Sequence, residues 1–236
     1  MENYIEFLKN GIKKIGVEVS DDKILKLMEY LKILMEYNAH TNLTAIRDEE
    51  GILEKHFLDS ILLLKHVDKV EGKAIDIGTG AGFPGMVLAI CLPDIKFTLI
   101  DSVGKKIKFL QEVKGKLDIS NVDPIHIRAE EFITDQLRES YDFGFCRGVS
   151  KLNTILEYVI PFLKINGKFL PQKMEGTHEE EESISALKKL DSKIVKTFHE
   201  ELPYSEDKRV IVEVLKLKKT NKKYPRRVGI PVKKPL

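Results

Sequence analysis

A chain of 236 residues can bury one substantial core with a smaller appended element, and is too short for two large domains. With 42% hydrophobic and 32% charged residues it has the balance of an ordinary globular protein, which excludes a disordered or fibrous chain. The net charge of +2 hides a basic tail, Lys218, Lys219, Lys222, Lys223, Arg226, Arg227, Lys233 and Lys234 without an acid among them, which suits a polyanionic partner better than a membrane.

Glu2 and Glu6 stand in the first turn where a secretory leader would be basic, so a cytoplasmic protein is expected. Ile5, Leu8, Ile12 and Ile15 recur at helical steps and predict an amphipathic helix. Ser20-Asp21-Asp22 supplies capping oxygens for a second helix running from Ile24 to Met35. The polar segment Asn38-Ala39-His40-Thr41-Asn42 reads as a break, and a third helical run covers Ile52 to His66. Residues 1–68 are therefore expected to form an all-helical subdomain.

From Lys73 the period changes. Ala74 to Ile77 reads as a buried strand, followed by a glycine-rich turn and a helix through Met86 to Ile90. Lys96 to Asp101, Pro124 to Ile127, Tyr141 to Cys146 and Gly167 to Leu170 read as further strands, with helices over Lys105 to Lys116 and Leu152 to Leu163. Ile194 to Phe198 and Val210 to Leu217 lack a good helix between them, which predicts an antiparallel pair at the sheet edge. The expected fold class is α/β, a mostly parallel sheet over residues 69–217, followed by a basic tail, 218–236. The two cysteines, Cys91 and Cys146, carry no metal-ligand spacing, so no metal is expected. No apolar run approaches the roughly 20 residues of a membrane span.

The chemistry begins where the first strand ends. Glycines at 78, 80 and 82 allow positive φ and close approach of a ligand. Gly78, Gly80 and Gly82 give G-x-G-x-G; Gly80, Gly82 and Gly85 give G-x-G-x-x-G, the dinucleotide spacing. The first glycine should follow the strand directly, which favours Gly78. Asp76 in the strand end suits a cofactor bearing a sulfonium and an amino group, and would repel a pyrophosphate. Asp101, ending the second strand, can accept hydrogen bonds from both ribose hydroxyls, or can cap the helix that follows. Ala129-Glu130 would lie beside an adenine. A dinucleotide-dependent oxidoreductase and a non-catalytic RNA-binding assembly factor are the competing readings.

Several segments, in order along nearly the whole chain, carry a resemblance: Asn38 to Ile46, His56-Phe57-Leu58-Asp59-Ser60, Asp76 to Gly85, Asp101-Ser102 with Lys105-Lys106, Ala129-Glu130, and Tyr224-Pro225-Arg226-Arg227 with Gly229-Ile230-Pro231. The chain resembles the bacterial 16S ribosomal RNA guanine-N7 methyltransferases, the glucose-inhibited-division-B or RsmG family. The resemblance implies a Rossmann-like fold with a helical N-terminal extension, S-adenosylmethionine as cofactor, and 16S ribosomal RNA or a small-subunit precursor as partner. It further implies that Gly78 and Phe83, with Gly80 and Gly82 in the same turn, line the cofactor. Asp101 and Ser102 would hold the ribose, Ala129-Glu130 flank the adenine, and Arg147 sit where cofactor and base meet. The chain departs from the family's usual Ser-Arg-Ala at Cys146-Arg147-Gly148, and from its usual Lys-Arg at Lys105-Lys106.

Guanine N7 carries a free lone pair, so no acid or base is required; Arg147 and Asn42 are the expected positioning groups. The expected RNA contacts are Asn38, Asn42, Lys105, Lys106, Arg226, Arg227, Lys233 and Lys234, although Asn38 and Asn42 could equally cap turns. His56 and Asp59, three apart on one helix face, are expected to lock the helical subdomain onto its neighbour. Lys173 reads as a solvated lysine, and the molecule is expected to be a monomer.

Overall fold

The computed structural model describes residues 2–176 and 179–236. Its helices are α1 (Glu2–Ile15), α2 (Asp21–Thr41), α3 (Glu49–Ile52), α4 (Asp59–Ile61), α5 (Gly85–Cys91), α6 (Gly104–Lys116), α7 (Ala129–Phe132), α8 (Leu152–Val159), α9 (Glu179–Glu182), α10 (Ile184–Lys189) and α11 (Ile230–Lys233). Seven strands join them: β1 (Gly72–Ile77), β2 (Ile95–Asp101), β3 (Val122–His126), β4 (Tyr141–Arg147), β5 (Leu163–Met174), β6 (Ser192–Glu201) and β7 (Lys208–Lys216). No helix among the described residues is long and apolar enough to cross a membrane.

The strands form one sheet in the order β3-β2-β1-β4-β5-β7-β6. The first five are parallel, and β7 runs antiparallel between β5 and β6. The expected mostly parallel sheet with an antiparallel end is therefore present. Reversal of order between β1 and β4 opens a crevice at the strands' carboxyl ends, where such sheets take ligands.

The helical region differs from expectation at two places. Helix α2 does not break at Asn38 but runs to Thr41 and ends at Asn42, whose φ is 51°. The residues between α3 and α4, Leu53–Leu58, widen into a π-helix, and Leu62–His66 tighten into a 3-10 turn. Such wide turns re-aim side chains within a helix, here those of His56 and Asp59. The buried faces of α1 to α4 share one continuous apolar core with α5, α6 and one face of the sheet. The other sheet face packs against α8, α10 and the C-terminal Tyr224.

Candidate active site

The glycine turn leaves β1 immediately after Ile77, and the N–H groups of Gly78 and Thr79 both donate to the Ile100 carbonyl of β2, at 2.8 and 3.1 Å. Gly78 and Gly80 have φ of 71° and 63°. A Cβ at Gly78 would lie 2.3 Å from Val149 of the β4–α8 loop, so only glycine leaves the gap between them open. The gap belongs to a crevice of about 200 Å³ whose walls include Gly78, Asp101, Ser102, Ala129, Glu130 and Val149. Five residues expected at a cofactor thus meet around one space.

Asp101 is 6% exposed and uses one oxygen to accept from Gly80 N–H (2.9 Å) and the other from Val103 N–H (2.8 Å). It therefore caps the approach to α6 and also faces the crevice. A carboxylate offers about four acceptor directions, so capacity remains for a diol even with Lys106 Nζ 3.6 Å away. Asp76 lies behind the turn, fully buried. Its Oδ2 accepts from Gly85 N–H at 2.9 Å while Oδ1 has no partner. Burial pushes its carboxyl up to about 6.

A second cluster lies beside this crevice, where α4 and the π-turn meet β4, β5 and β7. Arg147 donates to Asp59 Oδ2 (3.0 Å), to His56 Nδ1 (3.1 Å) and to the Lys55 carbonyl (3.3 Å). Arg209 Nε reaches both Asp59 oxygens at 3.2 Å, and Gln172 Nε2 donates to Asp59 Oδ1 (3.2 Å) and to its carbonyl (2.6 Å). Two guanidiniums thus share one buried carboxylate, a local excess of positive charge facing the end of the sheet. Because a guanidinium only donates, His56 Nδ1 must accept. Nε2 then carries the proton toward Thr44 Oγ1 at 2.6 Å. Burial, and next the Arg147 charge, lower the His56 pKa to about 3, so its ring is neutral. His56 stacks on Phe83 at 4.7 Å, and the Arg147 guanidinium lies over the same ring at 5.4 Å.

Several expected site residues have other work in the structure. Phe83 is 5% exposed and supports His56, Arg147 and Tyr30, so it is a packing partner and not a wall of the crevice. Gly82 makes room for Tyr30, whose hydroxyl donates to the Ala81 carbonyl. Asn38 is 2% exposed and cannot meet RNA. Its Oδ1 accepts from Leu43 and Thr44 N–H at 2.7 and 3.0 Å, which shapes the loop that presents Thr44 to His56. Asn42 is exposed, its side-chain oxygen held by Arg47. Lys105 is exposed and donates to the Thr41 carbonyl at 3.0 Å.

Arg226 is not free for phosphate, because its guanidinium grips the fully buried Glu157 at 2.6 to 3.1 Å. Arg227, Lys233 and Lys234 are exposed. Lys173 is not solvated: it pairs with Glu179 at 2.8 Å and holds the Ser150 carbonyl at 2.6 Å, fixing the loop after β4. His56 and Asp59 tie the N-terminal helices to β4, as expected. Sequence reasoning missed Arg209, Gln172, Tyr158 and Val232; the one signal for Arg209 was a cation opening an apolar strand.

A family model described as rRNA small subunit methyltransferase G (GidB) matches residues 23–210. The chain is 57% identical to the ribosomal RNA small subunit methyltransferase G of Fusobacterium nucleatum subsp. nucleatum, over 98% of this chain and 99% of that protein. It is 41% identical to the protein of the same name from Alkaliphilus metalliredigens, over 97% of each. Among solved structures, a SAM-dependent methyltransferase from Aquifex aeolicus superposes with a TM-score of 0.55 at 19% identity, over 71% of this chain and 93% of that one. TYW2 of M. jannaschii, solved in complex with AdoMet, gives 0.56 at 16% identity, over 73% and 80%. At those identities the two structures speak for the fold alone, a Rossmann-like methyltransferase fold.

Proposed function

The chain belongs to the rRNA small subunit methyltransferase G family, and from that premise we propose that it moves a methyl group from S-adenosylmethionine to N7 of a guanine in 16S ribosomal RNA. The observation that carries the cofactor half of the reading is the meeting of Gly78, Asp101 and Ala129-Glu130 around one crevice. When bound, S-adenosylmethionine supplies a methyl group activated on a sulfonium. In this reading Gly78 and Gly80 leave room for it, Asp101 and Ser102 receive the ribose, and Ala129-Glu130 flank the base.

Asp76, expected at the cofactor, is fully buried and outside the crevice lining, and in this reading it braces the glycine turn through the Gly85 N–H without touching the ligand. Helix α5 argues against a dinucleotide. The Gly85 N–H at its start, where a pyrophosphate would seat, is already taken by the Asp76 carboxylate.

On the substrate side the chain needs neither acid nor base, since the N7 lone pair is free to attack. Neutral His56 has both ring nitrogens engaged and serves to orient Arg147. Arg147, held from three sides, keeps N–H groups in reserve for the base's O6 edge or for a phosphate. Holding the reacting atoms in line supplies the acceleration. Residues 69–217 form the catalytic unit in this reading, residues 1–68 shape its substrate side, and exposed Asn42, Lys105, Arg227, Lys233 and Lys234 meet RNA. The protein acts as a monomer.

Mass mapping of 16S ribosomal RNA from cells with and without this chain tests the proposal. The expected difference is loss of one 7-methylguanosine, and an unchanged map speaks against it. RNA particles that bind the chain but take no label from S-adenosylmethionine would favour the assembly factor.

A further inference from the structure

We propose that the C-terminal tail is the outer wall of the cofactor's base subsite, with Val232 as the residue that meets the purine. The inference rests on the reading that the crevice takes S-adenosylmethionine. Composition alone makes the tail a solvent-borne cationic arm, yet its internal bonding is that of a strap.

Arg226 clasps Glu157 of α8 through its backbone N–H (2.7 Å), Nε (2.8 Å) and Nη2 (2.6 Å). A carboxylate that is fully buried tolerates its charge only when paired in this way, so the clasp fixes where the tail turns. Tyr224 and Pro231 are buried, which closes the segment on both sides of that clasp. Gly229, in the left-handed region with φ 78°, then reverses the chain and donates its N–H to Glu130 Oε1 at 3.1 Å. Glu130 is itself a wall of the crevice. Beyond the turn, Val232 lines the same crevice as Ala129, Glu130 and Tyr158.

Val232 is 58% exposed, so the fold gains little from its apolar side chain. What would cover it is a flat, neutral ring entering the crevice between Ala129 and the tail. A purine has that shape, and an apolar wall facing a polar rim of Asp101, Ser102 and Glu130 is the surface it selects.

The test is calorimetric titration of the full chain with S-adenosylhomocysteine. Val232→Asp is expected to raise Kd roughly ten- to hundredfold, the loss that follows from replacing a contacting aliphatic side chain by a charge. Val228→Asp makes the same change in the same tail, at an exposed position outside the crevice lining, and is expected to shift Kd less than about twofold. Both positions are on the surface, so both variants are expected to fold, and a thermal melt checks this. Equal Kd for Val232→Asp and the parent chain overturns the inference alone. A parent chain that takes up no S-adenosylhomocysteine overturns the functional reading, and the inference with it.

Discussion

Asp76 has one oxygen on the Gly85 N–H and the other with no partner, inside a protein interior that exposes none of it. Its folded-state pKa of about 6 lies above the ordinary 3.8, so between those values the folded chain binds more protons than the unfolded one. Stability from this group therefore falls as pH rises from about 4 to about 6 and stays low above that. Asp76→Asn keeps an acceptor for Gly85 and removes the buried charge. Denaturant melts should show a gain of up to roughly 3 kcal/mol near pH 7 that disappears by about pH 4, together with weaker S-adenosylhomocysteine binding.

His56 has the opposite sign. Its pKa of about 3 lies below the ordinary 6.5, so its contribution is complete above 6.5 and is lost as pH falls toward 3. NMR should find its ring neutral from pH 8 down to about 5, and a midpoint near 6.5 would remove His56 from the Arg147 network. At this scale the sequence was legible where strand and turn are contiguous: Asp76, the glycines and Asp101 sit on consecutive elements whose geometry is stereotyped. The Asp59 partners Gln172 and Arg209 lie 113 and 150 residues away from it, and no local pattern encodes that meeting.

Among the elements, the helical region departs furthest from its sequence pattern. Asn38-Ala39-His40-Thr41-Asn42 has the composition of a break, yet α2 continues through it because the Asn38 side chain binds the loop beyond the helix instead of stopping it. The π-turn at Leu53–Leu58 is equally invisible to a 3.6-residue period, although it contains Glu54, which holds the β6–β7 loop, and leads directly into Asp59, which holds Arg147 and Arg209. Asp59 thus ties α4 to three strands at once. Asp59→Ala leaves the Arg147 guanidinium without a carboxylate and Arg209 with only Asp207 at 4.0 Å, and should cost about 3–5 kcal/mol in a denaturant melt. A loss under about 1 kcal/mol would mean that the strands hold the arginines without it. Strand placement was more legible, since buried apolar runs bounded by acids or glycines admit few other structures.

Over the whole molecule, a nearly neutral chain presents one acid-lined crevice next to a cluster in which cations outnumber acids. That asymmetry fits a cationic cofactor on one side and a polyanion on the other. The tail was the least legible part, because its eight cations dominate the sequence while its anchor, Glu157, lies 69 residues upstream of Arg226. Pairing with the buried Glu157 withdraws Arg226 from any phosphate-binding surface.

The most direct measurement is calorimetric titration of the wild-type chain and Asp101→Ala with S-adenosylhomocysteine and, separately, with NAD. S-adenosylhomocysteine is expected to bind saturably and NAD to give no measurable heat, with Asp101→Ala lowering the affinity for S-adenosylhomocysteine at least about tenfold, the weight of one or two hydrogen bonds to a charged acceptor. Preference for NAD, or an Asp101→Ala chain that binds S-adenosylhomocysteine as tightly as the parent, would contradict the S-adenosylmethionine reading.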